Sequence, residues 1–187
     1  MKIILDAMGG DNAPQAVVQG ALEAHAQCGA DIVLVGREEA IRACLTGPLP
    51  EGVEIVNATE VVDMCDDPAT AFKRKKDSSL TVGLTMLKNG GGDAFVSAGS
   101  TGAMTAAATA YVTPFRYMAE GKKQPVRPCL TNALPNRAGG LTVLCDMGAN
   151  PDVEVDDMVR FAQMGSAYAR VVLGIEHPRV GLLANGT

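Results

Sequence analysis

Apolar runs that suit buried β-strands recur along this chain, and segments with helical spacing lie between them. This alternation limits the possible folds more than any other feature, because strands that are apolar on both faces are typical of a parallel sheet covered by helices on either side. We therefore predict an α/β fold with a doubly wound, mainly parallel sheet. The six predicted strands are KIILDAM (2–8), DIVLVG (31–36), VEIVNA (53–58), DAFVSAG (93–99), LTVLCDMG (141–148) and VGLLANG (180–186).

Apolar residues at helical spacing predict the helices between these strands. Leu80, Leu84 and Leu87 fall on one helical face, and Pro14 suits the first turn of a helix, where its missing N–H is not needed. No internal repeat or linker-like segment is visible, so we predict a single α/β domain over residues 1–187. The predicted helices cover 14–27, 37–45, 79–89, 101–112 and 155–172, with a short helix within 67–79 and a polar loop over 113–128.

The composition narrows the class of protein. Apolar residues make up 47% and charged residues 20% of the chain, as in soluble globular proteins. The net charge of −5 argues against a nucleic-acid partner, which would favour a basic surface. No run reaches the roughly 18 apolar residues of a membrane span. The apolar start meets Asp6 too early for a secretory signal, so we expect a cytoplasmic protein.

Cysteines and histidines give little support for metal or nucleophilic chemistry. The five cysteines are scattered and form no CxxC motif, which favours free thiols in the core over disulfides or a zinc site. His25 and His177 lie in no metal-binding or catalytic motif, and the chain has no GxSxG elbow. The acidic stretch around Cys65 favours a solvated loop over a cation site. We expect no metal and no cofactor.

Small-residue turns follow four of the predicted strands: DAMGGDNAP (6–14), SAGSTGA (97–103), DMGANPD (146–152) and ANGT (184–187). Each turn alone is ordinary loop chemistry, but the carboxyl ends of parallel strands lie along one edge, where the four turns could share a crevice. The candidate substrate-binding residues in these turns are Asp6, Gly9, Gly10, Asp11, Ser97, Gly99, Ser100, Thr101, Gly102, Asp146, Gly148, Asn150 and Asn185.

The SAGSTGA turn is the best candidate for holding an anion. Its small residues let the backbone approach a ligand, and the predicted helix after it would point free N–H groups at the same place. The spacing matches neither a P-loop nor a dinucleotide fingerprint, so phosphate or carboxylate is favoured over a nucleoside triphosphate. The alternative is a tight turn between two core elements.

A basic run, Lys73-Arg74-Lys75-Lys76, precedes two serines. It suits the carboxyl end of a helix, or a patch that attracts phosphate or an acidic protein. Ser78 and Ser79 could cap the next helix or donate to the same anion. Lys76, Ser78, Ser79 and Arg127 complete the candidate phosphate-binding set.

Six blocks carry a resemblance to a known family: MKIILDAMGGDNAP (1–14), RKKDSS (74–79), DAFVSAGSTGAM (93–104), RPCLTNALP (127–135), LTVLCDMGANPD (141–152) and PRVGLLANGT (178–187). In this order they resemble the bacterial phosphate acyltransferases of phospholipid synthesis. The resemblance implies transfer of a long-chain acyl group from acyl carrier protein to inorganic phosphate. It also implies a Rossmann-like three-layer α/β/α fold related to phosphotransacetylase, a cytoplasmic homodimer and peripheral contact with the membrane surface. It identifies no catalytic residue.

The chain departs from the family pattern at three places. Ser100 stands where the family usually has Asn, CDMGAN replaces LDVGAN, and the 113–126 loop is longer than expected. Members are nearly twice as long, so the resemblance implies an incomplete N-terminal portion. Two alternatives stay open: a phosphotransacetylase-like enzyme that uses a CoA thioester, and a non-catalytic fragment that binds an anion or carrier protein.

Overall fold

The computed structural model describes residues 1–119, 121–150 and 152–184. The chain divides into two compact units, Met1–Thr113 and Pro114–Thr187, and each is treated by itself. None of the helices in these described ranges is long and apolar enough to cross a membrane.

The first unit alternates strands with helices, as the sequence pattern predicts. Its strands are β1 (Lys2–Asp6), β2 (Asp31–Gly36), β3 (Val53–Asn57) and β4 (Ala94–Val96). Its helices are α1 (Gln15–Cys28), α2 (Glu38–Ala43), α3 (Ala71–Arg74), α4 (Ser79–Lys88) and α5 (Thr101–Tyr111).

The four strands form one parallel sheet in the order β3-β2-β1-β4. In register, Ile4 of β1 lies between Val33 of β2 and Phe95 of β4. The central strands therefore end at the same edge, and the loops after β1 and β4 are neighbours there.

Both faces of this sheet are buried, which confirms the doubly wound α/β class. Ile32 and Leu34 of β2 pack with Val18 of α1 and Ile41 of α2 on one face. The alternate residues of the same strand, Val33 and Val35, lie on the other face with Ile4 and partly buried residues of α4. Successive side chains of a strand point to opposite faces of the sheet. Because helices cover both faces here, β2 is a continuous apolar run.

Helix α5 packs beside α4 through small residues. Ala103 and Ala107 are buried against Leu80 and Leu84 of α4, with Phe72 closing the cluster. Alanines spaced four residues apart place a smooth helical face toward the neighbour and permit a close approach.

The second unit holds two antiparallel strand pairs and one helix. Strand β5 (Arg116–Ala119) pairs with β6 (Lys122–Pro125), and β7 (Thr131–Pro135) pairs with β8 (Leu141–Cys145); helix α6 covers Val155–Val171. Phe161 and Ala169 are buried residues of this helix.

Three predictions fail in this unit. The prediction of a loop over 113–128 is wrong because β5 and β6 form a hairpin there, and β6 (KKQP) is polar and fully exposed, so it carries no apolar alternation to detect. The strand at 141 exists, but its partner is antiparallel β7 and not the parallel sheet. Residues 180–184 form no strand, although they are apolar, since no strand of the described chain pairs with them; residues 185 and 186 of that prediction lie outside the described residues.

Candidate anion site at the start of helix α5

A buried carboxylate joins the loops after β1 and β4. Asp6 is only 4% exposed, and no cation pairs with it in the described part of the chain. The Ser97 hydroxyl donates to Asp6 Oδ2 at 2.7 Å, and the Met8 N–H donates to Asp6 Oδ1 at 3.1 Å. The Gly99 N–H in turn donates to Ser97 Oγ at 3.1 Å. This chain of hydrogen bonds fixes the shape of the turn that precedes α5.

Glycine is needed where these two loops touch. A Cβ on Gly9 would lie 2.6 Å from Asp6 Oδ2, 2.8 Å from Ser97 Oγ and 2.9 Å from the Gly99 nitrogen. Gly10 has a φ of +108°, and a Cβ on it would lie 3.2 Å from Ala98 Cβ. The structure therefore brings the first two of the four predicted turns close together, joined by the Ser97–Asp6 hydrogen bond.

Helix α5 begins at the same place. Ser100 is its N-cap, and its Oγ accepts the Ala103 N–H at 3.4 Å. The first backbone N–H groups of a helix have no partner within the helix, so those of Thr101 and Gly102 remain donors toward an anion. Ser97 uses its own proton on Asp6, whereas the capping geometry leaves the Ser100 proton available.

Gly102 packs against another loop. A Cβ at Gly102 would lie 2.9 Å from Pro68 Cβ, so the acidic loop 61–68 lies beside the first turn of α5. This contact gives Gly102 a packing role. It also places loop 61–68 beside the candidate anion site, which the sequence patterns did not indicate.

The serines after the basic run have structural partners. Ser78 is completely buried and caps α4: its Oγ accepts the Thr81 N–H at 3.3 Å and donates to the Lys75 carbonyl at 2.8 Å. Ser79 is also buried, whereas Lys76 is exposed. Of the two alternatives for Ser78, capping is the one that the geometry shows.

Lys75 is held by the acidic loop. Its ammonium donates to the Val61 carbonyl at 2.7 Å, to Asp66 Oδ2 at 2.6 Å and to Asp63 Oδ2 at 3.0 Å. The bond from Lys75 and the Asp63 N–H lower the pKa of Asp66, and Asp66 and Asp63 raise the pKa of Lys75. Sequence reasoning missed this pairing, although opposite charges nine residues apart were a visible signal.

A second cluster of candidates lies in the second unit. Asp146 accepts the N–H groups of Leu130 and Asn150 at 2.6 and 2.8 Å and the Asn150 side-chain amide at 2.9 Å. Burial of Asp146 acts to raise its pKa, but these donors outweigh burial and the pKa is lowered. Arg127 donates to Asn150 Oδ1 at 2.7 Å and to Asp157 at 3.1 Å.

This second cluster brings together three of the candidate residues, Arg127, Asp146 and Asn150, and adds Asp157, which the sequence patterns did not indicate. Gly148 lies in the same turn with a φ of +100°. Asp11 is exposed in the loop after β1, and Asn185 lies outside the described residues.

The structure defines the surroundings of several thiols and of one imidazole. Burial raises the pKa of the Cys129 thiol, which disfavours the thiolate. Cys28 and Cys65 are exposed, so the expectation of core thiols is wrong for these two. His25 hydrogen-bonds the Ala30 carbonyl at 2.8 Å. The described residues include no group of three or more His, Cys, Asp or Glu side chains placed to hold a metal ion.

Comparison with known proteins places the chain in a family. The family described as "Fatty acid synthesis protein" matches residues 1–187. The chain is similar to a phosphate acyltransferase of Desulfitobacterium hafniense (strain Y51), at 46% identity over all of this chain and 54% of the relative. It is also similar to phosphate acyltransferases of Herpetosiphon aurantiacus (43% identity, 100% and 49% covered) and Clostridioides difficile (39%, 97% and 52% covered).

A match along its whole length means that the chain belongs to the fatty acid synthesis protein family. The chain spans about half the length of the curated relatives that it matches.

Proposed function

We propose that this chain carries the phosphate-binding part of an acyltransferase. The enzyme moves a long-chain acyl group from acyl carrier protein to inorganic phosphate and supplies acyl phosphate for phospholipid synthesis. The observation that carries this proposal is the meeting of the Asp6 and Ser97 loops at the start of α5, in a chain similar to phosphate acyltransferases. Because the relatives are about twice as long, we propose that these residues are an N-terminal portion of the enzyme.

Phosphate itself is the nucleophile in this reaction, so the proposed reaction needs no nucleophilic side chain. A phosphate oxygen attacks the thioester carbonyl carbon, the C–S bond breaks, and the carrier thiol leaves with a proton while the new C–O bond gives the acyl phosphate. The site's task is to hold a dianion in line with the carbonyl. The N–H groups of Thr101 and Gly102 and the Ser100 hydroxyl support that task.

Asp6 has a different role in this proposal. A buried carboxylate would repel phosphate if both faced each other directly, so Asp6 serves by fixing Ser97 and, through it, the Gly99 N–H. Exposed Lys76 adds positive charge that attracts phosphate or the acidic carrier protein. Arg127 and Asn150 are proposed as further substrate contacts in the second unit.

The resemblance also leads us to propose a cytoplasmic homodimer with peripheral membrane contact. Size-exclusion chromatography with light scattering on the intact gene product tests the dimer, and flotation with anionic vesicles tests the membrane contact. A monomer, or protein that stays with the lipid-free fraction, would contradict these two proposals.

The decisive experiment measures acyl phosphate formed by the intact gene product from a long-chain acyl carrier protein and phosphate, with hydroxylamine as the trap. We expect hydroxamate that depends on both substrates. Preference for acetyl-CoA would favour a phosphotransacetylase-like enzyme, and no product with either donor would favour a binding fragment.

A further inference from the structure

We propose that Lys75 is a positioning residue: it fixes the position of loop 61–68 beside the proposed phosphate site. This inference rests on the proposed function. It differs from a role for the basic run as a docking patch, because the structure turns Lys75 inward while its neighbours Lys73, Arg74 and Lys76 are exposed.

Every N–H donor of the Lys75 ammonium has an acceptor within the protein. It has three N–H donors and meets three acceptors, the Val61 carbonyl and one oxygen each of Asp63 and Asp66. All three acceptors belong to one six-residue stretch of the loop, so the ammonium draws the loop around itself.

Further bonds join the same two segments. The Thr59 N–H and hydroxyl both donate to Asp77, at 2.9 and 2.5 Å, and the Asp77 N–H donates to Glu60 at 2.9 Å. The chain is thus attached by Asp77 at Thr59 and Glu60, just before the loop, and by Lys75 along the loop itself.

Both ends of this loop contact helix α5 or the residues packed on it. Val62 packs on the cluster that contains Ala103 of α5, and Pro68 contacts Gly102 in the first turn of that helix. A shift of the loop would move Pro68 against the turn whose N–H groups are proposed to hold phosphate, and displacements of about 1 Å can change rates up to 100-fold. Lys75 therefore acts on phosphate through the loop and has no free donor with which to bind it.

The test uses Lys75→Met and Asp66→Asn in the intact gene product, with Lys73→Met as the matched control. Lys73 is an exposed lysine two residues away. Steady-state assays measure KM for phosphate, KM for the acyl donor and kcat, and thermal melts report folding. We expect a phosphate KM about 10-fold higher in both variants, with the donor KM unchanged. We expect the double variant to match Lys75→Met, because the Lys75–Asp66 ion pair that Asp66→Asn weakens is already absent in Lys75→Met.

Several results would overturn this role. A direct phosphate ligand would lose affinity in Lys75→Met while Asp66→Asn stayed normal. A merely structural residue would lower the melting temperature with phosphate KM unchanged, and a general charge effect would appear equally in Lys73→Met. If Lys75→Met fails to fold, Asp66→Asn alone decides. A parent protein without phosphate-dependent turnover would refute the proposed function, whereas a phosphate-dependent parent with unaffected variants would refute only the positioning role.

Discussion

At Ser97, one hydroxyl serves two neighbours at once, since it accepts from the Gly99 N–H and donates to the buried Asp6 carboxylate. Ser97→Ala leaves both groups without that partner. We therefore expect the free energy of unfolding to fall by about 1–3 kcal/mol and the KM for phosphate to rise. Denaturant titration and phosphate kinetics measure the two effects. Ser97→Thr keeps the hydroxyl and should retain most of both; equal loss in the two variants would remove the hydrogen bonds from the explanation.

Gly9 provides a test of the contact between the two loops. A methyl group there would come within 3 Å of Asp6, Ser97 and the Gly99 backbone, so Gly9→Ala should destabilise the fold and raise phosphate KM. Gly20 is the matched control: it lies within α1 with nothing near a Cβ, and Gly20→Ala should stabilise the helix by about 0.5–1 kcal/mol. Chemical denaturation of both variants should show shifts of opposite sign.

The Lys75–Asp66 pair predicts a pH dependence. The pKa of Asp66 is lowered from 3.8, so its stabilisation is complete above that value and is lost as pH falls through the lowered pKa. The pKa of Lys75 is raised from 10.5, so its stabilisation is complete below that value and is lost as pH rises through the raised pKa. Melting temperatures of the parent and Lys75→Met should differ by a constant amount between about pH 5 and 9 and converge below pH 3.8. A difference that widens in acid would contradict the pair.

Helix α4 shows how a capping residue can be mistaken for a phosphate-binding residue in the sequence. Ser78 is buried and makes bonds to Thr81 and Lys75, so Ser78→Ala should cost about 1–2 kcal/mol of stability. Thr109→Ala, at an exposed position of α5, is the control, because the Thr109 hydroxyl donates to the Thr105 carbonyl one turn away. Calorimetry should find a clear loss in the first variant and little change in the second.

The elements that sequence reasoning found are those with strong apolar periodicity. The runs of β1 and β2 are continuous because both faces of the sheet are buried, whereas the leucines of α4 recur at helical spacing because one face of that helix packs in the core. The β5–β6 hairpin is held by backbone pairing of exposed polar residues, which leaves no apolar period. Residues 180–184 show the reverse case, since an apolar run becomes a strand only when a partner strand is present.

In the whole molecule, the buried apolar side chains are divided unequally between the two units. Within the described ranges, only Phe161 and Ala169 of this core belong to the second unit, while Phe115, Leu182 and Leu183 are at least 80% exposed. We expect residues 1–113 alone to unfold cooperatively, because both faces of the parallel sheet are covered within that stretch. Residues 114–187 alone should show no cooperative melt. Circular dichroism of the two pieces checks this, and a sharp transition in the second would contradict it.

The site was predictable to the extent that parallel topology governs it. Parallel topology predicts that turns after the strands lie along one edge of the sheet, and at that edge Asp6, Gly9, Ser97 and Gly99 do meet. That β1 and β4 are neighbours is known only from the structure. The turn at Asp146 follows a strand of an antiparallel pair, so that rule does not apply to it. The bonds of Lys75 and the contact of Pro68 with Gly102 depend on how an irregular loop folds back, which no periodic pattern encodes.

The hydrogen bond between Ser97 and Asp6 joins residues 91 positions apart, and this separation has a consequence during synthesis. Ribosomes add about 5–20 residues per second, so β1 leaves the tunnel roughly 5–20 s before β4 can reach it. Over that interval the β1 edge that will receive β4 is open while the nascent chain already contains β2 and β3. Slower translation between codons 36 and 97 extends the time for which this strand edge can pair with another nascent chain. Synonymous codon changes in that stretch should therefore alter the yield of native protein without altering its sequence.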